Sequence, residues 1–195
     1  MAVATCARGC SRPEACSWPA QLGISSASEI LDLVTPQYDA ELLSWCALGA
    51  RTTESPLHRQ MASALSAPLG FKNPTSGKLQ TAVGAIVVAA QSHRFPSISL
   101  DGRAIVITTT GHADCHLILR GGDAGPNFEA ASVQTAVAAL QAAGLPGRVM
   151  IDCSHVNSGG DYRRQPQVAA EIGAQIAAGS RAILGVMLES HLVEG

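Results

Sequence analysis

The sequence predicts an α/β fold in which parallel strands are joined by helices, and three observations predict it. Short apolar runs alternate with segments of helical spacing along most of the 195 residues. That order is what parallel strands with right-handed crossovers produce. The apolar runs end in chemically capable residues: Arg51, Lys72, Arg120, His155 and Glu189. In parallel α/β folds the strand ends face the reactants, both in a closed barrel and in an open doubly wound sheet. Finally, 47% of the residues are hydrophobic and only 14% charged, ample material for a core. About six strands have this habit. A barrel needs eight and about 250 residues, so the chain reads as short of one by roughly two β/α units.

Taken in order, residues 1 to about 22 are rich in Ala, Cys, Ser, Pro and Arg without a sustained period, which predicts an irregular segment. Residues 23–195 read as one domain. Ile30–Val34 is strand-like and is ended by Thr35-Pro36-Gln37; Asp39–Trp45 has the composition of a short helix. A strand over Ala47–Ala50 leads to Arg51, and Leu57, Met61 and Leu65 give Pro56–Leu65 helical spacing. Pro68–Phe71 is a strand ending at Lys72. Leu79, Val83, Ile86, Val87 and Ala90 put one apolar face on a helix over Lys78–Gln91. Asp101-Gly102 between β-prone runs predicts a hairpin within Pro96–Thr110. Strands at His116–Leu119, Val149–Ile151 and Ala182–Leu188 alternate with helices at Ala130–Ala143 and Gln167–Ala178, stopped by Gly144 and Gly179.

The formal net charge of −2 gives no basic footprint for nucleic acid. No run approaches the ~18 apolar residues of a membrane span, and the N-terminus lacks the apolar core of a secretory signal. The six cysteines form no disulfide framework of a small secreted domain, which points to a reducing cytoplasm. Cys6, Cys10 and Cys16 match no common zinc spacing.

Arg51, Lys72 and Arg120 suit an anion that carries both a phosphate and a carboxylate, because Arg offers planar forks and Lys a point charge. Gly121-Gly122 suits backbone amides approaching a phosphate, or a plain turn. An imidazole and a carboxylate, His155 and Glu189, suit a divalent first-row ion, with Asp152 able to orient His155. Cys115 and Cys153 lie among apolar neighbours and read as buried, inert thiols. His112 and His116 receive no role, and Tyr162-Arg163-Arg164 reads as a solvated loop.

These segments closely resemble class I 3-deoxy-D-arabino-heptulosonate 7-phosphate (DAHP) synthase. The resemblance rests on Thr35-Pro36-Gln37-Tyr38, Gly49 to Ser55, Gly70 to Asn73, Ile118 to Gly122, Asp152 to His155 with Asn157, and Glu189-Ser190-His191. It runs from about Gly23 to Gly195. It implies a (β/α)8 TIM barrel, of which this chain holds strands three to eight. It implies a metal-dependent condensation of phosphoenolpyruvate with erythrose 4-phosphate, at the start of the shikimate pathway to the aromatic amino acids. Lys72 and His155 are then the catalytic residues. Arg51, Lys72, Arg120, Glu29 and Ala50 bind phosphoenolpyruvate. His155 and Glu189 hold a divalent metal ion of the Mn, Fe, Co or Zn type.

The family's metal-binding Cys in an Ile-Gly-Pro-Cys-Ser-like strand, its Lys-Pro-Arg-Thr segment and its later Asp ligand have no counterpart in the sequence. The chain therefore reads as cut at both ends and inactive alone. The alternatives are a non-catalytic phosphoenolpyruvate-binding remnant or the related 3-deoxy-octulosonate 8-phosphate synthase. The resemblance also implies a homo-oligomer for the full-length protein and feedback inhibition by an aromatic amino acid. Pro36, Gln37, Leu65, Ser66, Phe95 and Ser97 fall where that inhibitor would bind.

Overall fold

A computed structural model of the chain describes residues 4–5 and 21–191. It divides into two compact units, Met1–Phe71 with Ala85–Cys115 and Lys72–Gly84 with His116–Gly195.

In the first unit β1 (Ala4–Thr5), β2 (Ser26–Glu29), β3 (Trp45–Leu48) and β4 (Leu69–Lys72, up to Phe71) lie side by side and parallel. The register pairs Glu29 with Ala47 and Leu48 with Phe71. Parallel strands covered on both faces read as continuous apolar runs, and Cys46, Ala47, Leu48, Leu69 and Phe71 are all buried. Burying a side chain such as Phe71 stabilises by about 1.5–3 kcal/mol.

The sequence places the strand before Thr35 at Ile30–Val34; it lies instead at Ser26–Glu29. The physical reason is Asp32, whose carboxylate accepts from the backbone N–H of Val34 and of Thr35 and from the Thr35 hydroxyl. Those local bonds compete with a strand ladder and turn the chain. The following helix α1 is Pro36–Asp39 rather than Asp39–Trp45. Pro36 takes the first helical position, where its missing N–H costs nothing, and Trp45 belongs to β3. Ala4–Thr5 pairs with β2, so the irregular reading of residues 1–22 fails at that point. Cys6, Cys10 and Cys16 lie outside the described residues.

Helix α2 (Pro56–Ala62) starts at Ser55, whose hydroxyl accepts from the His58 N–H, with Pro56 next in line. The predicted hairpin is present as β5 (Arg94–Ile98) and β6 (Ala104–Thr108), paired antiparallel from Arg94–Thr108 to Ile98–Ala104. Its loop is Ser99–Arg103, longer than a two-residue turn, with Gly102 at φ +79°. His112 is buried with its Nε2 against the Ala67 carbonyl at 2.8 Å and its Nδ1 accepting from the Asp114 N–H, a structural role.

The second unit is built on β7 (Cys115–Leu119, from His116), β8 (Val149–Asp152) and β9 (Ile183–Met187), again parallel. Helix α4 (Ala130–Ala142) connects β7 to β8, and α5 (Gln165–Ala177) connects β8 to β9. Leu117, Ile118, Leu119, Val149 and Ile151 are buried, as are Val133, Ala136 and Leu140 of α4 and Val168 and Ile172 of α5. Gly144 and Gly179 follow the two helices at φ +73° and +102°, the left-handed stops their positions predicted.

Helix α3 (Leu79–Ala89) and β4 each contain the division between the units. On α3 the buried face is an alanine stripe, Ala82, Ala85 and Ala89, with Val83 and Ile86; Val87, predicted inside, is exposed. Among the described residues no helix is long and apolar enough to cross a membrane.

Candidate active site

In the second unit, strand ends deliver charged groups to one place. Lys72, which ends β4, and Asp152, which ends β8, form an ion pair of 2.7 Å with side chains 7% and 0% exposed. His155 Nε2 lies 3.3 Å from the Lys72 ammonium, 3.3 Å from Asp152 Oδ2 and 3.3 Å from Glu189 Oε1. Burial by itself raises the pKa of Asp152, but His155, the Lys72 charge and Ser154 together outweigh it and hold the carboxyl well below the usual carboxylate range. Its Oδ1 accepts from both the Ser154 N–H (3.0 Å) and the Ser154 hydroxyl (2.6 Å).

His155 stands out in its backbone. It is the one non-glycine residue at positive φ (+53°) among the described residues. Such a conformation costs on the order of 1–3 kcal/mol and persists where the surroundings over-determine it. Here the Gly160 N–H donates to the His155 carbonyl (2.7 Å), and the Ser158 hydroxyl does so at 3.2 Å. The turn His155–Ser158 that follows β8 is thus closed on itself, and the imidazole is presented beside Asp152.

Asp152, His155 and Glu189 offer ligand atoms within 4.8 Å of one another. Donors held at about 2.1 Å around one divalent ion lie roughly 3–4 Å apart, so the two 3.3 Å separations at His155 Nε2 fit. Asp152 Oδ2 is already paired with the Lys72 ammonium at 2.7 Å and lies 3.3 Å from His155 Nε2. One nitrogen lone pair or one N–H at His155 Nε2 cannot satisfy the Asp152 and Glu189 carboxylates together, whereas a cation accepts from both carboxylates and from the imidazole. The O and N donor set suits a first-row divalent ion.

Sequence reasoning quoted Asn73 and Asn157 without a role and passed over Asn127. All three build the frame of this unit's strand ends. Asn73 Oδ1 accepts from the Arg120 N–H (3.0 Å) and from Asn127 Nδ2 (3.2 Å), while its Nδ2 donates to the Gly121 carbonyl (2.9 Å). Asn157 Oδ1 accepts from the Asn127 N–H (2.8 Å), and Asn157 Nδ2 donates to the Asp152 and Leu119 carbonyls (2.8 and 3.2 Å). The backbones that carry Lys72, Arg120 and Asp152 are therefore laced together by carboxamides. A buried network of this kind is stiff because every unmade bond is costly. The only signal in sequence was an Asn directly after the Lys72 strand end and another after His155.

One reading of the sequence is corrected here. The amides of Gly121 and Gly122 are not available to a phosphate: Gly121 N–H donates to Asn127 Oδ1 (2.7 Å) and Gly122 N–H to the Gly125 carbonyl (3.0 Å). The glycines serve close approach instead, since a Cβ on Gly122 would lie 2.4 Å from Gly77 Cα. Tyr162-Arg163-Arg164 is exposed, with the Arg163 guanidinium 5.0 Å from the Tyr162 ring centre. Cys153 is fully buried and its thiol is pushed up to about 11 by that burial; Cys115, partly covered, is pushed up to about 12 in the same way.

The first unit carries Glu29, Ala50 and Arg51. The β3 end turns through Thr52–Glu54, with Thr53 N–H and the Thr52 hydroxyl both donating to the Gly49 carbonyl (2.9 and 3.1 Å). Arg59 Nε donates to the Thr53 carbonyl at 2.8 Å. Arg51 is exposed on this turn, and Glu29 leans over Gly49, where a Cβ would lie 2.1 Å from its Oε1. Also in this unit, Gln37 Nε2 donates to the Ser97 hydroxyl at 3.1 Å.

Parallel strands joined by helices, with cations, an imidazole and carboxylates on the strand ends, define a protein of the α/β class, in which strand ends carry the site. The comparisons narrow this to a family. The model of the DAHP synthetase I family matches residues 15–195, and the chain belongs to that family. The match begins before Gly23, where the sequence resemblance was placed. The chain is 51% identical over 173 residues to the Phe-sensitive phospho-2-dehydro-3-deoxyheptonate aldolase of Escherichia coli (strain K12), covering 89% of this chain and 49% of that protein. It is 51% identical over 174 residues to the Tyr-sensitive enzyme of the same strain, with the same coverage. A solved phospho-2-dehydro-3-deoxyheptonate aldolase from Francisella tularensis SCHU S4 superposes with a TM-score of 0.91 at 46% identity, covering 94% of this chain and 53% of that one. The chain spans about half the length of the curated relatives it matches.

Proposed function

We propose that this chain carries the phosphoenolpyruvate and metal side of an active site that condenses phosphoenolpyruvate with erythrose 4-phosphate to give DAHP and phosphate. The observation that carries the reading is the Lys72–Asp152–His155–Glu189 cluster on strand ends, in a chain of the DAHP synthetase I family. The names of its relatives, which specify a phospho-2-dehydro-3-deoxyheptonate aldolase, agree with that product.

His155 and Glu189, joined by Asp152, would hold the divalent ion. Bound there, the ion supplies Lewis-acid polarisation of an aldehyde oxygen. Arg51 and Arg120, with Ala50 and Glu29 at the first of them, serve the phosphate and carboxylate of phosphoenolpyruvate. Lys72 is already charge-paired with Asp152, so its part is that of a fixed ammonium, donating toward the substrate rather than supplying net attraction. His155 would give its Nε2 lone pair to the ion and so act through the ion.

The aromatic amino acid site falls to Gln37, Ser97 and their neighbours Pro36, Leu65, Ser66 and Phe95. The Phe- and Tyr-sensitive names of the relatives are its support. A cytoplasmic setting and a homo-oligomer of the full-length protein complete the reading.

Calorimetric titration of the chain with phosphoenolpyruvate tests it. Binding is expected, and Arg120→Ala or Arg51→Ala is expected to weaken it at least about tenfold, since hydrogen bonds to charged groups contribute about 1.5–3 kcal/mol. Undiminished binding in both variants would overturn the assignment. Adding erythrose 4-phosphate and Mn²⁺ then separates a chain that turns over from one that only binds.

A further inference from the structure

We propose that Gln165 is the positioning residue that sets Glu189 opposite His155. This rests on the reading of Glu189 as a metal ligand given above. The ladder between β8 and β9 ends with Asp152 opposite Met187 and a final bond from the Cys153 N–H to the Met187 carbonyl (2.9 Å). Glu189 lies beyond that point, and its side chain is half exposed. Its backbone is nevertheless held on both sides. Gln165 Nε2 donates to the Glu189 carbonyl at 2.7 Å, and Gln165 Oε1 accepts from the Glu189 N–H at 2.9 Å. The carboxamide thus does what a neighbouring strand residue would do, exchanging both bonds with one residue.

Gln165 is itself well fixed. It is buried, opens α5, and is followed by Pro166 at the first turn of the helix. Between it and His155 the chain makes two successive tight turns, His155–Ser158 and Tyr162–Arg164. They are closed by Gly160 N–H to the His155 carbonyl and Arg164 N–H to the Asp161 carbonyl. The path from His155 to Glu189 is therefore short and hydrogen-bonded throughout. Outer partners of metal ligands commonly govern affinity by 10–100-fold, and nothing in the sequence pattern marks Gln165 for this part.

The test is titration of the full 195-residue chain with Co²⁺, read by visible absorption, for the wild type, Gln165→Met, Gln165→Glu and Glu189→Gln. Methionine keeps the volume and loses both bonds. Glutamate keeps the acceptor and loses the donor. Gln165→Met is expected to weaken Co²⁺ by about tenfold or more and to shift the ligand-field bands, with far-ultraviolet circular dichroism unchanged and faster exchange of the Glu189 amide. Gln165→Glu is expected to lie between it and the wild type, and it carries the test if the methionine variant does not fold. Wild-type affinity and bands in both Gln165 variants, with Co²⁺ lost in Glu189→Gln, would overturn the positioning role alone. Undiminished Co²⁺ binding in Glu189→Gln, or no binding by the wild type, would instead overturn the metal reading and this inference with it.

Discussion

In the first unit Arg51 is exposed at the end of β3, on a turn framed by backbone and hydroxyl bonds. In the second, Lys72 is buried at the end of β4 with Asp152 2.7 Å away and His155 next to it. Both cations are assigned to the same substrate, yet their physics differs. An exposed guanidinium retains most of its hydration, costs the fold little, and offers its charge to an arriving anion. A buried ammonium is tolerable only because a carboxylate neutralises it, so an anion gains little net attraction from it. In the proposed site the buried cation would contribute direction and the exposed cation charge.

The largest expected effect would break this contrast most directly. Asp152→Ala leaves the Lys72 ammonium buried and unpaired, and should cost about 3–5 kcal/mol of stability. Chemical denaturation measures it, and adding Lys72→Met should recover much of the loss. Arg51→Ala, a surface change, should stay within about 0.5 kcal/mol. Equal losses for Asp152→Ala and Arg51→Ala would abolish the distinction.

A pair of glycines sharpens it next. Gly122→Ala drives a Cβ to 2.4 Å from Gly77 Cα and 2.6 Å from its nitrogen, backbone atoms that cannot swing aside. A loss of about 1–3 kcal/mol is expected from such overpacking. Gly49→Ala meets the Glu29 carboxylate, the end of a flexible side chain, with Thr52 Oγ1 at an ordinary 3.6 Å. It should change thermal stability by less than about 1 kcal/mol while displacing Glu29. Similar melting temperatures for the two variants would mean that the two strand ends tolerate a Cβ equally well.

The smallest effect concerns a property the units share. Burial raises Cys46 and Cys115 in the first unit to about 12 and Cys153 in the second to about 11, from an ordinary 9.0. A pKa raised on folding gives stability that is whole below about pH 9 and is lost as pH climbs toward 11–12, because the unfolded thiols ionise first. Denaturation midpoints should therefore fall across that window, and Cys153→Ala should flatten the fall slightly. Peptide mapping after alkylation at pH 8 should find all three unmodified in the folded chain; rapid modification of Cys153 alone would make it a reactive rather than a packed thiol.

Much of this site is legible in sequence because strand ends are easy to find. An apolar run of four or five residues followed by Lys72, Arg120 or, a few residues on, His155 marks a strand end of a parallel α/β fold without tertiary information. The strand before Thr35 was not legible, because Asp32 diverts the backbone through its own carboxylate and leaves Ser26–Glu29, a weakly apolar stretch, to pair with β3. Val87 was misjudged for a related reason: Ala82, Ala85 and Ala89 fill the buried face of α3, and alanine carries little weight in an apolar periodicity.

What the sequence by itself determined is the alternation of parallel strands and helices, the helix stops at Gly144 and Gly179, and the residue types at each strand end. Those follow from local periodicity and backbone preference, which act over a few residues. What only the tertiary structure decided is how those residues are partnered: that Lys72 is neutralised by Asp152, that Asn73, Asn127 and Asn157 lace the strand ends, that the Gly121 and Gly122 amides are already bonded, and that Gln165 grips Glu189. The glycine amides apart, which bond only three and six residues on, these join groups far apart in the chain. Hydrogen bonds and ion pairs have ranges of a few ångströms, and a linear pattern does not record which distant groups come within that range.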